Sequence, residues 1–255
     1  MSGFDITSIL DFKPPRYVCA ACRGLFDDMK KRRDPDNRLR FDTCPICSVQ
    51  YAPGEWAVES SGGPLSFLRE RGYTVAYGNN LFQHATALAT VIRQGQQKKW
   101  PTMRILFECL SRSRHFVHFT SWGISHQLIG SLKMTSMRVP VYGFVSNVEA
   151  AARTELTEFP SETPNFTAKV IPTSQGVFDA PHQKLIVVDG LIAFKGSANL
   201  TNTGLRKSDR GLDISEIATD FREVCKLNNS YFAPVWKSLT LGDNMTYLIW
   251  DDAPF

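Results

Sequence analysis

The chain has 255 residues, 43% of them hydrophobic and 21% charged, and a formal net charge of +4 at pH 7. This composition is typical of a globular protein and excludes wholesale disorder, while the mild positive charge is compatible with a polyanionic partner. No segment approaches the roughly 18 uninterrupted apolar residues of a membrane-spanning helix, and the N-terminus lacks the features of a secretory signal. We therefore expect a cytoplasmic protein with no membrane partner.

Two C-x-x-C pairs lie in the first 60 residues, which otherwise contain few apolar runs. The first pair is Cys19 and Cys22, the second is Cys44 and Cys47, and 21 residues separate them. This spacing is typical of a four-thiolate zinc site of the zinc-ribbon or treble-clef type, whereas a redox C-x-x-C motif needs no duplicate. We predict a zinc-binding module over residues 1–60, with one structural zinc ion per chain and no catalytic metal.

The segment around and between the cysteine pairs is basic. Residues 13–41 hold nine Lys or Arg and four Asp or Glu. A basic zinc module indicates that this part of the chain binds a nucleic-acid backbone. A solvated loop face or a protein-docking surface is the alternative interpretation of the same residues.

Helical and strand-like patterns alternate from about residue 65 onward. Apolar side chains at helical spacing predict helices at 80–94, 103–112, 125–134, 149–158 and 220–240, with a further helix starting at 202–205. Apolar runs predict strands at 115–120, 139–145, 168–172, 184–188, 191–194 and 213–218. Asp189-Gly190 is a hairpin signal between two of these strands, so a purely parallel sheet is not expected. We predict an α/β domain over residues 65–255 with a mixed β-sheet flanked by helices.

The run HQKLIVVDGLIAFKGSANLTNTG, which begins at His182, carries the strongest chemical signal. Residues two apart in a strand point to the same side, so His182 and Lys184 can converge on one ligand. An imidazole and an ammonium suit a phosphodiester, because one attacks or transfers a proton while the other neutralises oxygen charge. Residues 196–199 can bring backbone N–H groups, a hydroxyl and an amide to the same phosphate. We expect Asp189 to start the turn and to bond nearby backbone.

The spacing of this run resembles the signature of the phospholipase D superfamily at six positions. They are His182, Lys184, Asp189, Gly196, Ser197 and Asn199. The resemblance implies a phospholipase D-like fold and a phosphodiesterase in which His182 is the nucleophile and forms a covalent phosphohistidine. It also implies that Lys184 and Asn199 hold the phosphate oxygens and that Ser197 supports the loop.

The superfamily uses a carboxylate on a later strand to orient the nucleophilic histidine. Glu216 is the best match to that carboxylate by position and strand context, and Asp213 is a nearby competitor. A carboxylate in contact with the other ring nitrogen fixes the tautomer of an imidazole.

Active sites of this superfamily combine two H-x-K motifs, and this chain has one. The other four histidines have no lysine two residues later; they are His84, His115, His118 and His126. Resemblance to single-motif endonucleases therefore implies a homodimer in which the two His182 side chains meet across a two-fold axis. A monomer that uses another acid, or a heteromer, is the alternative.

Three functions remain open. The first is a metal-independent nuclease, with DNA favoured over RNA, and further basic residues support it: Lys98, Lys99, Arg206, Lys207 and Arg210. The second is a phospholipid or cardiolipin phosphodiesterase, which needs an apolar entrance that the sequence does not reveal. The third is a non-catalytic nucleic-acid-binding scaffold that retains the fold.

Overall fold

A computed structural model describes residues 17–19, 21–26, 30–33, 40–48, 50–51, 81–146, 150–157, 163, 165–171 and 182–241. The predicted boundary between module and domain, at residues 60–65, lies outside these ranges. None of the helices in the described ranges contains an apolar stretch long enough to cross a bilayer.

Short strands surround the cysteine pairs. They are β1 (Tyr17–Val18), β2 (Leu25–Phe26), β3 (Lys30–Arg33), β4 (Arg40–Thr43) and β5 (Gln50–Tyr51). Strands β1 and β2 pair antiparallel, and β3, β4 and β5 form a separate antiparallel sheet in that order. One cysteine pair lies in the turn that joins β1 to β2, and the other follows β4.

A six-stranded mixed sheet forms the centre of the larger described region. Its strands are β6 (Val117–Ser121), β7 (Val141–Val145), β8 (Phe166–Val170), β9 (Lys184–Val188), β10 (Ile192–Gly196) and β11 (Ser215–Ala218). Their spatial order is β11-β10-β9-β6-β7-β8. Strands β6, β7 and β8 are parallel to one another, and the other neighbouring pairs are antiparallel. The predicted mixed sheet is confirmed.

Helices cover both faces of this sheet. They are α1 (Leu81–Gln97), α2 (Thr102–Arg112), α3 (His126–Ser136), α4 (Ala150–Thr157), α5 (Asn202–Asp209), α6 (Phe221–Leu227), a π-helix (Asn228–Phe232) and α7 (Ala233–Leu241). Buried side chains of α1 to α5 pack in one core with alternate residues of the strands. Side chains of α6, the π-helix and α7 pack in a second core on the opposite face. The helices therefore flank the sheet as the sequence predicts.

The C-terminal helical region differs from the single helix predicted over 220–240, because a π-helix interrupts it. The π-helix places two asparagines against the first cysteine turn. Asn228 donates from Nδ2 to the backbone oxygen of Arg23 (3.0 Å), while Asn229 accepts from the Leu25 N–H (2.7 Å) and donates to the Leu25 oxygen (2.6 Å). A widened helical turn presents both amides to one backbone segment, and such turns often occur where a helix makes a specific contact.

The hairpin between β9 and β10 turns at Asp189 and Gly190, which have φ values of 55° and 68°. Positive φ at both central residues is the type I′ geometry that Asp-Gly favours. The Asp189 carboxylate is fully buried and accepts backbone N–H bonds from three consecutive residues: Arg114, His115 and Phe116. It also lies 2.6 Å from His84 Nε2. The side chain therefore ties the hairpin to α1 and to the segment before β6.

Replacing Asp189 with alanine is expected to reduce the free energy of unfolding by about 3–5 kcal/mol, because it leaves buried donors unpaired. Burial alone would raise the pKa of Asp189, but the His84 bond and the backbone N–H groups hold the pKa below its usual value. The stabilising contribution is thus present at neutral pH and is lost only as the pH falls through that lowered pKa. Urea unfolding at pH 7 measures the loss, and a change below 1 kcal/mol would contradict this role.

Candidate active site

The residues of the H-x-K and G-S-x-N patterns meet at one end of the sheet. Lys184 opens β9 and lies directly opposite Gly196, the last residue of β10. His182 precedes β9, and Ser197 and Asn199 follow β10. The hairpin thus brings the two halves of the pattern together, because its strands run antiparallel from the turn at the far end.

His182 and Lys184 are in direct contact. The Lys184 Nζ lies 2.7 Å from His182 Nδ1 and 3.2 Å from its Nε2, and it also donates to the His182 backbone oxygen. His182 is exposed, whereas Lys184 is 4% exposed. The lysine is therefore held by the protein while the imidazole is open to a ligand.

The electrostatic surroundings favour a neutral imidazole beside a charged ammonium. Burial lowers the pKa of His182, and the charge of Lys184 lowers it further. Burial also lowers the pKa of Lys184 to about 8, against the opposing effect of Asp213. Near neutral pH the imidazole is therefore largely unprotonated while the lysine keeps most of its charge, and these are the protonation states needed to attack an anionic diester.

The turn after β10 is held against the segment before β11. The Ser197 hydroxyl donates to the Asp213 carboxylate and accepts from the Ile214 N–H (3.1 Å), and the Ala198 N–H donates to the Ile214 oxygen (3.0 Å). Gly196 has φ 153°, and a Cβ there would lie 2.1 Å from the Ile214 oxygen. Glycine is required because the two backbones approach so closely. Ser197 thus holds this turn against the segment before β11.

Asn199 is half-buried, and its Oδ1 is buried with no hydrogen-bond partner among the described residues. The last residue of β6 fixes the chain next to Asn199. The Ser121 hydroxyl accepts from the Leu200 N–H (3.1 Å) and donates to the Gly123 oxygen (2.6 Å). Asn199 therefore retains unused hydrogen-bonding capacity in a loop that is fixed on both sides.

Trp122 is a neighbour of His182 that sequence reasoning did not assign to the site. The centroids of the two rings are 5.2 Å apart, with 56° between their planes. Trp122 directly follows β6, the strand next to β9. Trp122 follows a strand that ends where β9 begins, and this position brings it to His182. It could not be inferred from the sequence without the order of the strands in the sheet.

Glu216 does not lie on the face of the sheet that carries Lys184. It pairs with Lys195 across β10 and β11, and its Oε2 lies 3.5 Å from the Lys195 Nζ. Side chains alternate between faces along a strand, so Glu216 and Lys195 point toward α6, whereas Lys184 points to the other side. The carboxylate on the side of Lys184 is Asp213, the competitor that the sequence left open.

Asp189 is also remote from His182. It lies five residues beyond Lys184, which is about 17 Å along an extended strand. Its buried carboxylate bonds backbone and His84. The structure therefore places Asp189 in the hairpin turn and not beside the nucleophile.

The four remaining histidines have partners elsewhere. His84 bonds Asp189, His115 packs edge-on against His84, His118 bonds Asn228, and His126 pairs with Glu155. Burial lowers the pKa of His118 to about 3, so this side chain is neutral. His182 is thus the one histidine of this chain beside the Lys184 ammonium.

The four cysteines of the two pairs form one buried cluster. Their sulfur atoms all lie within 4.8 Å of one another, with Cys19 and Cys47 at 3.7 Å and Cys22 and Cys44 at 3.9 Å. A tetrahedral zinc ion with Zn–S bonds of about 2.3 Å separates its ligands by about 3.8 Å, whereas a disulfide is only about 2 Å long. The cluster fits a four-coordinate metal ion.

Each cysteine turn has a backbone N–H that donates to sulfur and a positive φ at the residue after the pair. The Gly24 N–H donates to Cys22 Sγ (3.3 Å), and the Ile46 N–H donates to Cys44 Sγ (3.4 Å). The residue after each pair, Arg23 or Ser48, has a positive φ. Backbone N–H donors of this kind stabilise thiolate ligands of a metal.

No protein-family model matches the chain, and no curated protein matches it. Among solved structures it is similar to Nuc, a phospholipase D family member from Salmonella typhimurium, with a TM-score of 0.39 and 15% identity, covering 52% of this chain and 86% of that chain. It is also similar to NucT from Helicobacter pylori, with a TM-score of 0.32 and 16% identity, covering 63% of this chain and 91% of that chain. A third similar structure is TrmBL2, an archaeal chromatin protein with a novel mode of DNA binding. Its TM-score is 0.36 and its identity 12%, and the match covers 52% of this chain and 47% of that chain. The interpretation of the site rests on its own residues.

Proposed function

We propose that the chain is a phosphodiesterase that hydrolyses nucleic acid, DNA in preference to RNA, without a divalent metal in the reaction. One observation carries the proposal: the Lys184 Nζ lies 2.7 Å from His182 Nδ1 next to the turn of Gly196 to Asn199. A neutral imidazole, a fixed ammonium and a polar turn at one exposed point are the groups that attack on phosphorus requires.

The reaction proceeds in two displacements. A ring nitrogen of His182 attacks phosphorus with its lone pair, the bond from phosphorus to the leaving oxygen breaks, and an acid gives that oxygen a proton. Water then attacks the phosphohistidine, returns the nitrogen lone pair to His182 and loses a proton to the same acid, now acting as base. Lys184 and Asn199 bind the non-bridging oxygens throughout, and Ser197 and Asp213 hold the turn.

The acid is the His182 of a second subunit in this proposal. The other described histidines are engaged elsewhere, so none of them is placed to act as the acid. A two-fold axis beside the site supplies the same residue in the second role. The mass of the active species in solution, determined by sedimentation, tests this point, since a fully active monomer would contradict it.

The four cysteines hold one zinc ion in the proposed protein, and its role is structural. Four thiolates complete a tetrahedral shell and leave no position for substrate. The Arg23 and Leu25 backbone next to this site bonds Asn228 and Asn229 of the π-helix. Metal binding therefore organises a surface on which the larger domain packs.

One observation favours the alternative of a phospholipid substrate. Leu212 and Ile214, which flank Asp213, are 73% and 50% exposed. Exposed apolar side chains beside a phosphodiesterase site can contact acyl chains, although they can equally contact a second subunit.

A substrate panel tests the proposed function. The protein is incubated in EDTA with supercoiled DNA, single-stranded DNA, RNA, phosphatidyl vesicles and bis(p-nitrophenyl) phosphate, and its zinc content is measured before and after. We expect cleavage of nucleic acid and of the small diester while the zinc stays bound. Hydrolysis of the vesicles with nucleic acid left intact would replace the proposal by the lipid alternative, and no hydrolysis of any diester would leave the scaffold alternative.

The pH dependence of kcat/KM follows from the two lowered pKa values. Activity is expected to rise at acid pH as the attacking His182 loses its proton, below its usual value of about 6.5, and then to fall as the His182 of the second subunit loses the proton that it donates. A further fall is expected above about pH 8 as Lys184 loses its charge. Replacing Lys184 with arginine should remove only the fall near pH 8, because a guanidinium stays charged up to about pH 12. A parent enzyme whose kcat/KM keeps rising through pH 10 would contradict these roles.

A further inference from the structure

Six exposed cations surround the place where α5 ends against the start of α2. They are Lys98, Lys99, Arg104, Arg206, Lys207 and Arg210, and we call them the basic patch. The ion pairs of the described residues involve other side chains, so none of the six has a carboxylate partner there. Their charges are therefore available to an external anion.

Two contacts join the halves of the basic patch. The Asp209 Oδ1 accepts the Thr102 N–H at 2.8 Å, which fixes the end of α5 against the beginning of α2. The Leu212 N–H and the Arg210 N–H both bond the Lys207 oxygen, which sets the position of the chain that leaves α5. Asp209 lies at this junction, and the Thr102 N–H already occupies one of its oxygens.

Trp100 holds two of the cations in place. The Arg104 guanidinium lies 4.0 Å from the centre of the indole ring, and the Lys98 Nζ lies 5.7 Å from it. A cation over an aromatic ring keeps its charge while losing rotational freedom. The basic patch is thus partly ordered before any ligand arrives.

The basic patch begins close to the catalytic turn. Helix α5 starts three residues after Asn199 and has eight residues, so it is about 12 Å long. A duplex strand advances about 3.4 Å per nucleotide. The end of α5 therefore lies about 12 Å from its start, a span of three to four nucleotides along a strand.

We propose that the basic patch binds the nucleic-acid backbone that flanks the cleaved diester. The proposal rests on the proposed function, and it assigns a second contact region to the same substrate. Phosphate contacts of this kind position the polymer without reading its sequence. A short diester bound at His182 does not reach the basic patch, so the patch affects polymeric substrates only.

The test compares two double variants that each remove two exposed cations. Arg206→Ala/Lys207→Ala changes the patch, and Arg222→Ala/Lys226→Ala changes α6 on the opposite face of the sheet. Binding of a fluorescent 30-nucleotide DNA is measured in the His182→Ala background between 0.1 M and 1 M salt. Each phosphate contact contributes about 0.7 to 0.9 to the slope of log K against log salt, so the patch variant should bind about 25- to 60-fold more weakly at 0.1 M and converge with the parent near 1 M.

The α6 variant is expected to bind within about twofold of the parent and with an unchanged salt slope. Equal losses in both variants would overturn the proposal, since net charge alone would explain them. A patch variant that binds DNA normally but loses binding to anionic vesicles would overturn it in favour of a lipid surface. The glutamine pair Arg206→Gln/Lys207→Gln keeps the aliphatic stems, and matching loss in it excludes a folding defect.

Hydrolysis of bis(p-nitrophenyl) phosphate separates this proposal from the proposed function. With His182 present, the patch variant should hydrolyse the small diester at the parental rate and cleave polymeric DNA more slowly. If the parent hydrolyses neither the small diester nor DNA, the proposed function fails, while the binding difference still decides the basic patch. A patch variant that loses small-diester hydrolysis would contradict the proposal that the basic patch acts apart from the site at His182.

Discussion

Replacing His182 with alanine is expected to lower kcat for phosphodiester hydrolysis by about 10⁴-fold or more, the range found when an enzymatic nucleophile is removed. The imidazole is the exposed group beside Lys184, and none of the other described histidines lies beside that lysine. In a shared active site the substitution removes the nucleophile and the acid together. Steady-state rates on the small diester measure the effect, and mass spectrometry of the peptide that carries His182 detects the covalent intermediate in the parent.

His126→Ala is the matched control for this experiment. His126 is also an exposed histidine, but it pairs with Glu155 on α4. Its loss should change kcat by less than about twofold, because it takes no part in the proposed chemistry. A His182→Ala protein that retains parental activity would remove the nucleophile from the proposal.

Replacing Cys22 with serine is expected to abolish metal binding and to destabilise the whole protein. Apparent binding energies of structural zinc are about 10–16 kcal/mol, and the total stability of a typical domain is about 5–15 kcal/mol. The cluster lies in the interior beside Ala233 of α7, and Val18 and Leu25 belong to the second core of the domain. Loss of the metal should therefore remove the cooperative thermal transition or lower its midpoint by more than 10 °C, as circular dichroism measures.

Cys225→Ala provides the control for this substitution. Cys225 is a half-buried thiol on α6 outside the metal cluster. Its replacement should cost no more than about 1 kcal/mol and leave one zinc ion per chain by elemental analysis. A Cys22→Ser protein that keeps the parental midpoint would show that the cluster does not stabilise the fold through a metal.

Local patterns in the sequence were sufficient for much of this structure. The strand at 184–188 is confirmed at its predicted bounds, and the Asp189-Gly190 hairpin is confirmed with positive φ at both residues. Once that hairpin is known, Lys184 must lie opposite the end of β10, so the meeting of the two motif halves follows from spacing alone. Short-range periodicity and turn chemistry determine these features.

The features that the sequence did not reveal depend on contacts between distant segments. Glu216 was chosen by its position in the chain, but the strand register turns its side chain toward Lys195. The π-helix was not predicted, because its widened turn goes with hydrogen bonds to the first cysteine turn, which is distant in the chain. Local helix propensity does not reveal such a contact. Trp122 required the strand order that places β6 beside β9. The periodicity of apolar residues along the sequence does not reveal the register between two strands, and it does not reveal which distant residues are neighbours in space.

The bonds between Leu25 and Asn229 join residues that are 204 positions apart in the chain. Synthesis at about 5–20 residues per second separates their appearance by roughly 10–40 seconds. During that interval the N-terminal cysteine turns have no helix against which to pack, and the apolar side chains of β1 and β2 remain uncovered. The cysteine turns therefore complete their packing only after the π-helix has been synthesised, and early metal capture would protect them in the interval.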